Sequence, residues 1–242
     1  MKRLDTFIAL NRFGLGAAPG ESRMVANDPR GWLRAQTNAA QSTPPALAGF
    51  AASKTILQEI HAARRESPTQ LRTVTGDWYR NGFRPEIIAR TQHMAGSEQP
   101  FAERMVLFWS NHFTVSRTRR IIGPAIPAYE REAIRPNVFG HFSDMLKAVM
   151  RHPCMLSYLD NIVSMGENSR AGRRRMRRRG IRKTLNENLA REILELHTVG
   201  VNAGYTQADV IALAHAISGW SHGGIQRGRN IPARRERCRL RM

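Results

Sequence analysis

"LNENLAREILELHTVGVNAGYTQADV", residues 185–210, decides the fold class. Leu185, Leu189, Ile193 and Leu196 recur at the three-and-four spacing of one helical face. Thr184 and Glu187 have the spacing of a capping box, the threonine closing the first turn and the glutamate reaching back. The helix is expected to run to about Thr198 and to stop before Gly200. Thr206 and Asp209 repeat the signature ahead of "VIALAHAISGW". A second helix therefore follows a tight loop in which Gly200 and Gly204 suit a positive φ.

Helical periodicity extends through the rest of the chain. Asp28 is placed to cap a helix whose first position is Pro29, where the missing N–H costs nothing. Residues 45–66 alternate apolar and charged positions at helical spacing. "RPEIIARTQHMA" (84–95) and "PFAERMVLFWSNHF" (100–113) carry proline near their starts, and the second stacks Met105, Phe108, Trp109 and His112 on one face. "HFSDMLKAVMRHPCMLSYLDN" (141–161) divides into two short helices at Pro153. Alternating Val/Ile/Thr runs are scarce. The expectation is an all-α, irregular multi-helix domain over residues 1–221, with a long Gly-, Ser- and Arg-rich loop at 164–183. Residues 222–242 show no apolar periodicity and read as a disordered basic tail.

The formal charge of +19 over 242 residues is concentrated. Residues 170–183 hold nine Lys/Arg and no acid, and residues 223–242 hold seven Arg and one Glu. The body is thus a mildly basic protein with two cationic segments, and the charge describes those segments rather than the fold. Cys154 and Cys238 form neither a disulfide framework nor a metal-ligand spacing, and Cys154 in its apolar run reads as a small buried hydrophobe. Asp5, Asn11 and Arg12 interrupt any export signal, and nothing approaches the roughly 20 apolar residues of a membrane span. As written, the chain reads as cytoplasmic, with export left open.

Three functions compete. Asn188, Glu192 and Glu195 form a polar stripe beside the apolar one, with Arg191 at its margin. Facing His112 or His197, and joined by Asp160, the two glutamates would make a pocket for hydrolytic or metal-assisted chemistry. The spacing matches no known metal motif, and no cofactor follows from it. Alternatively, Arg191 pairs with Glu187 or Glu195 while Asn188 and Glu192 satisfy buried backbone groups, and the protein is a helical scaffold that docks a partner. The third function uses Arg173, Arg174, Arg175, Arg177, Arg178 and Arg179 to hold a polyanion through phosphate or sulfate groups. No aromatic residues interleave with these arginines to stack bases, so such contact is non-specific.

Four blocks together resemble the bacterial family termed domain of unknown function 1800. They are "ALNRFGLGAAPGE" (9–21), "RMVLFWSNHFTVS" (104–116), "YEREAIRPNVFGHFSDMLKAVMRHPCMLSYLDN" (129–161) and "LNENLAREILELHTVGVNAGYTQADVIALAHAISGW" (185–220). The resemblance implies a largely helical protein without an established activity. It also implies a partner related to the alkaline phosphatase/sulfatase group, because such a protein is often encoded beside family members. Members continue for roughly as many residues again past the Gly-Trp block, whereas here the resemblance is expected to stop near Trp220. On that reading the chain is the truncated N-terminal half of a longer architecture.

Overall fold

The computed structural model describes residues 2–37, 43–117, 121–166, 169–179 and 185–221. Every regular element among them is helical, as the apolar periodicity predicts. The expected tail at 222–242 and the capping residue Thr184 lie outside the described residues. An N-terminal arm of α1 (Lys2–Ile8), a π-helical turn (Ala9–Phe13) and α2 (Glu21–Val25) packs through Ala9, Leu10 and Val25 against Trp32 of α3 (Pro29–Thr37). Asp28 caps α3 as expected, its Oδ1 accepting the Gly31 N–H at 2.8 Å. The predicted helix at 45–66 breaks at Gly49–Ala52 into α4 (Pro45–Ala48) and α5 (Ser53–Glu66).

The main core gathers around Phe113, Ile60, Ile134, Met145, Met155, Leu189 and Val210. It is enclosed by α5, α6 (Pro68–Trp78), α7 (Arg84–Ala95), α8 (Pro100–His112), α9 (Ile126–Tyr129), α10 (Phe142–Arg151) and α11 (Pro153–Tyr158). Pro153 separates α10 from α11 as predicted. His152 between them caps α11, its Nδ1 accepting the Cys154 N–H at 3.2 Å. Near the C-terminal end of the described chain, α13 (Asn188–Glu192) runs on as a π-helical turn (Ile193–Thr198), and α14 (Gln207–Ile217) follows. The capping box at Thr206 and Asp209 is complete, and Gly200 and Gly204 take φ of 94° and 86°.

Two expectations need correction. The arginine run is no loop, because residues 170–179 form helix α12 (Arg170–Arg179). Arginine is a strong helix former, and Ser169 Oγ accepts the Gly172 N–H at 3.0 Å to close the first turn. The second concerns α13, which begins at Asn188 rather than at residue 185. Asn186 Oδ1 accepts the Asn188 N–H at 2.9 Å. Glu187 accepts from Arg191 and Gln207 through Oε2, and Thr184, its expected capping partner, lies outside the described residues.

What ties the core helices together is a run of charge inside it. In "YEREAIRP" (129–136), α9 passes into a π-helical turn (Glu130–Ile134) that sends successive charged side chains towards different neighbours. Arg135 Nη1 and Nη2 donate to the two carboxylate oxygens of Glu103 on α8, at 2.7 and 2.8 Å, and its Nε donates to Glu130 at 3.1 Å. Glu130 also accepts from Arg90 of α7 at 2.8 Å and from Ser110 of α8 at 3.1 Å. Arg131 donates to Glu86 of α7 at 2.9 Å and to the Ala51 carbonyl at 2.8 Å. Glu132 accepts the Ser53 N–H at 2.8 Å and its hydroxyl at 2.6 Å, so it caps the start of α5 from 79 positions away.

Both members of the Arg135–Glu103 pair are about 5–6% exposed. Removing one partner strands the other in the core, which costs far more than losing a surface pair. Arg135→Ala is therefore expected to lower stability by about 3–5 kcal/mol in urea unfolding. Arg80→Ala, which breaks the exposed pair with Asp77, is expected to cost under about 1 kcal/mol.

Candidate functional site

The structure brings together four of the five residues expected to form a polar pocket, but as two pairs. His112 Nε2 donates to the His197 carbonyl at 3.2 Å, and the two rings stand 6.0 Å apart within a cluster that includes Trp109, Phe113 and Phe142. On the other side of the helix surface, Glu195 accepts from Arg191 Nη1 at 3.2 Å. Arg191 also donates to Glu187 at 3.2 Å and to Gln207 at 2.7 Å, binding α13 to the start of α14. Glu192 is coupled to this set by charge: burial first, then the Glu195 carboxylate, pushes its carboxyl above the usual carboxylate range. Asp160 is placed by the turn after α11, in the left-handed region at φ 61°, and leads into a short 3-10 turn at Asn161–Val163. There Asn161 donates to the carbonyls of Ile217 and Trp220, both at 3.2 Å, tying this turn to the end of α14. Asn188, expected to satisfy buried backbone, is exposed at the helix start.

The π-helical turn explains why the predicted stripe only half holds. Leu185, Leu189 and Ile193 face inwards as expected, but Leu196 is 59% exposed and His197 only 6%. A wider turn inserts about one residue into the helical register, so each later side chain is rotated by roughly 100°. His197 then takes the inward place that an ideal helix assigns to Leu196. Its Nδ1 is buried with no hydrogen-bond partner among the described residues. Burial, followed by the neighbouring His112, pushes the His197 pKa down to about 4. The imidazole is therefore neutral at neutral pH.

A metal site does not assemble from these groups. Among the described residues, no three His, Cys, Asp or Glu side chains come close enough together to hold a metal ion. The thiol of Cys154, buried and raised well above its ordinary range by burial and by the Glu132 charge, is no ready ligand.

The arginine helix presents a different geometry. Arg170, Arg173, Arg174 and Arg177 are all exposed and stand at the spacing of a single helical face. Arg175, Arg178 and Arg179 lie on the same helix. An acid that would neutralise this face from within the helix is missing from residues 170–179.

The charged hub was not recognised from spacing, yet it holds the most strongly organised polar groups described. Burial alone would raise the Glu132 carboxyl, but hydrogen bonds from His152 and from the Ser53 hydroxyl and N–H outweigh it and hold the pKa at about 2. His152 accepts at Nδ1, so its Nε2 carries the proton that points to Glu132 at 3.1 Å. Glu103 follows the same logic: burial raises it, while Arg135 and His93 outweigh burial and hold it ionised below the usual range. The signal in the sequence was four charges within six residues of an otherwise apolar segment, Glu130, Arg131, Glu132 and Arg135.

The depressed His197 pKa makes stability depend on pH. Between about 4 in the folded state and about 6.5 unfolded, the unfolded chain holds the extra proton. The His197 contribution to stability is thus complete above pH 6.5 and is lost as pH drops towards 4. His197→Phe is expected to reduce the fall in urea midpoints across this window, leaving the shares of other shifted groups such as His61, which burial and then Arg64 and Arg65 also push down.

Among the described residues, no helix is long and apolar enough to cross a membrane. No curated protein and no solved structure matches the chain at the level that would carry an inference. The family model described as "Protein of unknown function (DUF1800)" matches residues 8–240, continuing past Trp220, where the resemblance was expected to stop. With nearly its whole length covered by that match, the chain belongs to the DUF1800 family.

Proposed function

We propose that the protein is a helical scaffold that holds polyanions through α12. The observation that carries this reading is the exposed face formed by Arg170, Arg173, Arg174 and Arg177. Like charges three and four positions apart each destabilise a helix by about 0.2–0.5 kcal/mol. A row of phosphates or sulfates relieves that repulsion, so binding and helix formation favour each other. The contact is to backbone anions and lacks sequence preference, because recognition of bases needs groove-reading or stacking groups in addition to charge.

Four arginines matched to four phosphates give a log–log salt dependence with a slope of about −3 to −4 on duplex DNA. The expected result, read by fluorescence anisotropy between 50 and 200 mM salt (about a fourfold range, over which such slopes are resolved), is that Arg173→Ala with Arg177→Ala lowers the slope by about 2. Circular dichroism melts of the variant should match the parent. Unchanged retention and slope would overturn the reading.

A second reading, hydrolytic chemistry at His112, Asp160, Glu192, Glu195 and His197, is favoured by one observation. His197 is neutral, with Nδ1 unpartnered among the described residues, while the neighbouring turn carries Glu192 with its carboxyl raised. Perturbed groups of this kind are characteristic of acid–base sites. Glu192→Gln is expected to abolish turnover of a panel of ester and phosphoester substrates while leaving the melting temperature unchanged. A panel on which the parent protein shows no turnover sinks this reading.

A further inference from the structure

Against the Glu103–Arg135 pair the fold leaves a cavity of about 330 Å3. That is the size of a small-molecule site. One part of its wall is apolar, from Val106, Val138 and Phe139, and the other is built by His93, Glu103 and Arg135.

The polar part favours an anion. The Glu103 and Arg135 charges cancel, as do those of Glu130 and Arg90. What remains is the N-terminus of α8, a helix of 13 residues whose Gln99, Ala102 and Glu103 border the cavity. It carries roughly half a positive charge. In its first turn Pro100 has no N–H and the Phe101 N–H is taken by Gln36 Oε1 at 2.8 Å, which leaves that of Ala102. Arg135 is 5% exposed and commits three of its five N–H groups to Glu103 and Glu130, so one remains on each terminal nitrogen. His93 donates its Nε2–H to Glu103 at 3.0 Å, which leaves Nδ1 an acceptor in the neutral ring and no donor to an anion. Glu98, the other acid in the lining, is exposed to solvent.

We propose that this cavity binds a small organic carboxylate, with the carboxyl group at Arg135 and the α8 N-terminus and the hydrocarbon body against Val106, Val138 and Phe139. A carboxylate matches a guanidinium in shape and charge, and its chain gains from the apolar wall. Inorganic phosphate shares the charge but gains nothing there.

The test is calorimetry on the full chain with hexanoate, hexanamide and inorganic phosphate as probes. Hexanoate is expected to bind saturably and at least tenfold more tightly than either of the others. Because Arg135 variants risk unfolding, the cavity is filled by Ala102→Leu, which keeps a good helix former at that position. This variant should weaken hexanoate at least tenfold with an unchanged melt. Absence of saturable hexanoate binding, equal binding of hexanamide or phosphate, or hexanoate binding that Ala102→Leu leaves intact would each overturn the proposal. The last of these would place the anion elsewhere, on α12 among other surfaces.

Discussion

Charge placed inside the core, and satisfied there, is the constraint on which the remaining structure depends. Moving a carboxylate or a guanidinium out of water costs several kcal/mol per ion, and attraction repays it only when geometry is good and every remaining donor and acceptor is met. The segment from Tyr129 to Arg135 comes close to that condition, leaving two Arg135 N–H groups over, by distributing its partners over separate helices. Glu130 is held by α7 and α8, Arg131 by α7, Glu132 by α5 and by the cap of α11, and Arg135 by α8. Apolar packing alone would tolerate small rotations of these helices against one another. Bidentate and shared hydrogen bonds tolerate far less, so the hub sets the relative positions that the core then fills.

The same hub shapes the space beside α8. Because Glu103 is turned inwards to Arg135, it does not cancel the positive end of its own helix at the protein surface. The cavity and its unused donors are a by-product of how the core is wired, which is why an apolar wall and a charged wall meet there.

Legibility from sequence followed the range of the interactions involved. Local signals read well: Asp28 before Pro29, Thr206 with Asp209, Pro153 between two helices and the positive φ of Gly200 and Gly204 all act within a turn of themselves. The all-α class was legible because it sums many such signals. The stripe on residues 185–198 was legible only to Ile193, since a π-helical turn is invisible to a fixed 100° step, and it exchanged Leu196 for His197. The ion-pair role of Arg191 was visible as an i, i+4 pattern and is present. The hub was not, because Glu103 and Arg135 stand 32 positions apart and Ser53 and Glu132 stand 79 apart. Residues 170–179 read as part of a loop from the Gly, Ser and Arg content of 164–183, yet arginine is a strong helix former and they are helical.

The long-range cap on α5 has a consequence for the order in which the chain becomes structured. Ala52 precedes this helix without offering a side-chain acceptor, and the Ser53 N–H is accepted by Glu132. The first turn of α5 therefore lacks its acceptor until a segment made much later in the chain has folded against it. The start of α5 and residues 129–135 thus complete each other's hydrogen bonding across 79 positions. Bonds of this kind carry a high loop-closure cost and convert a set of short helices into a cooperative unit.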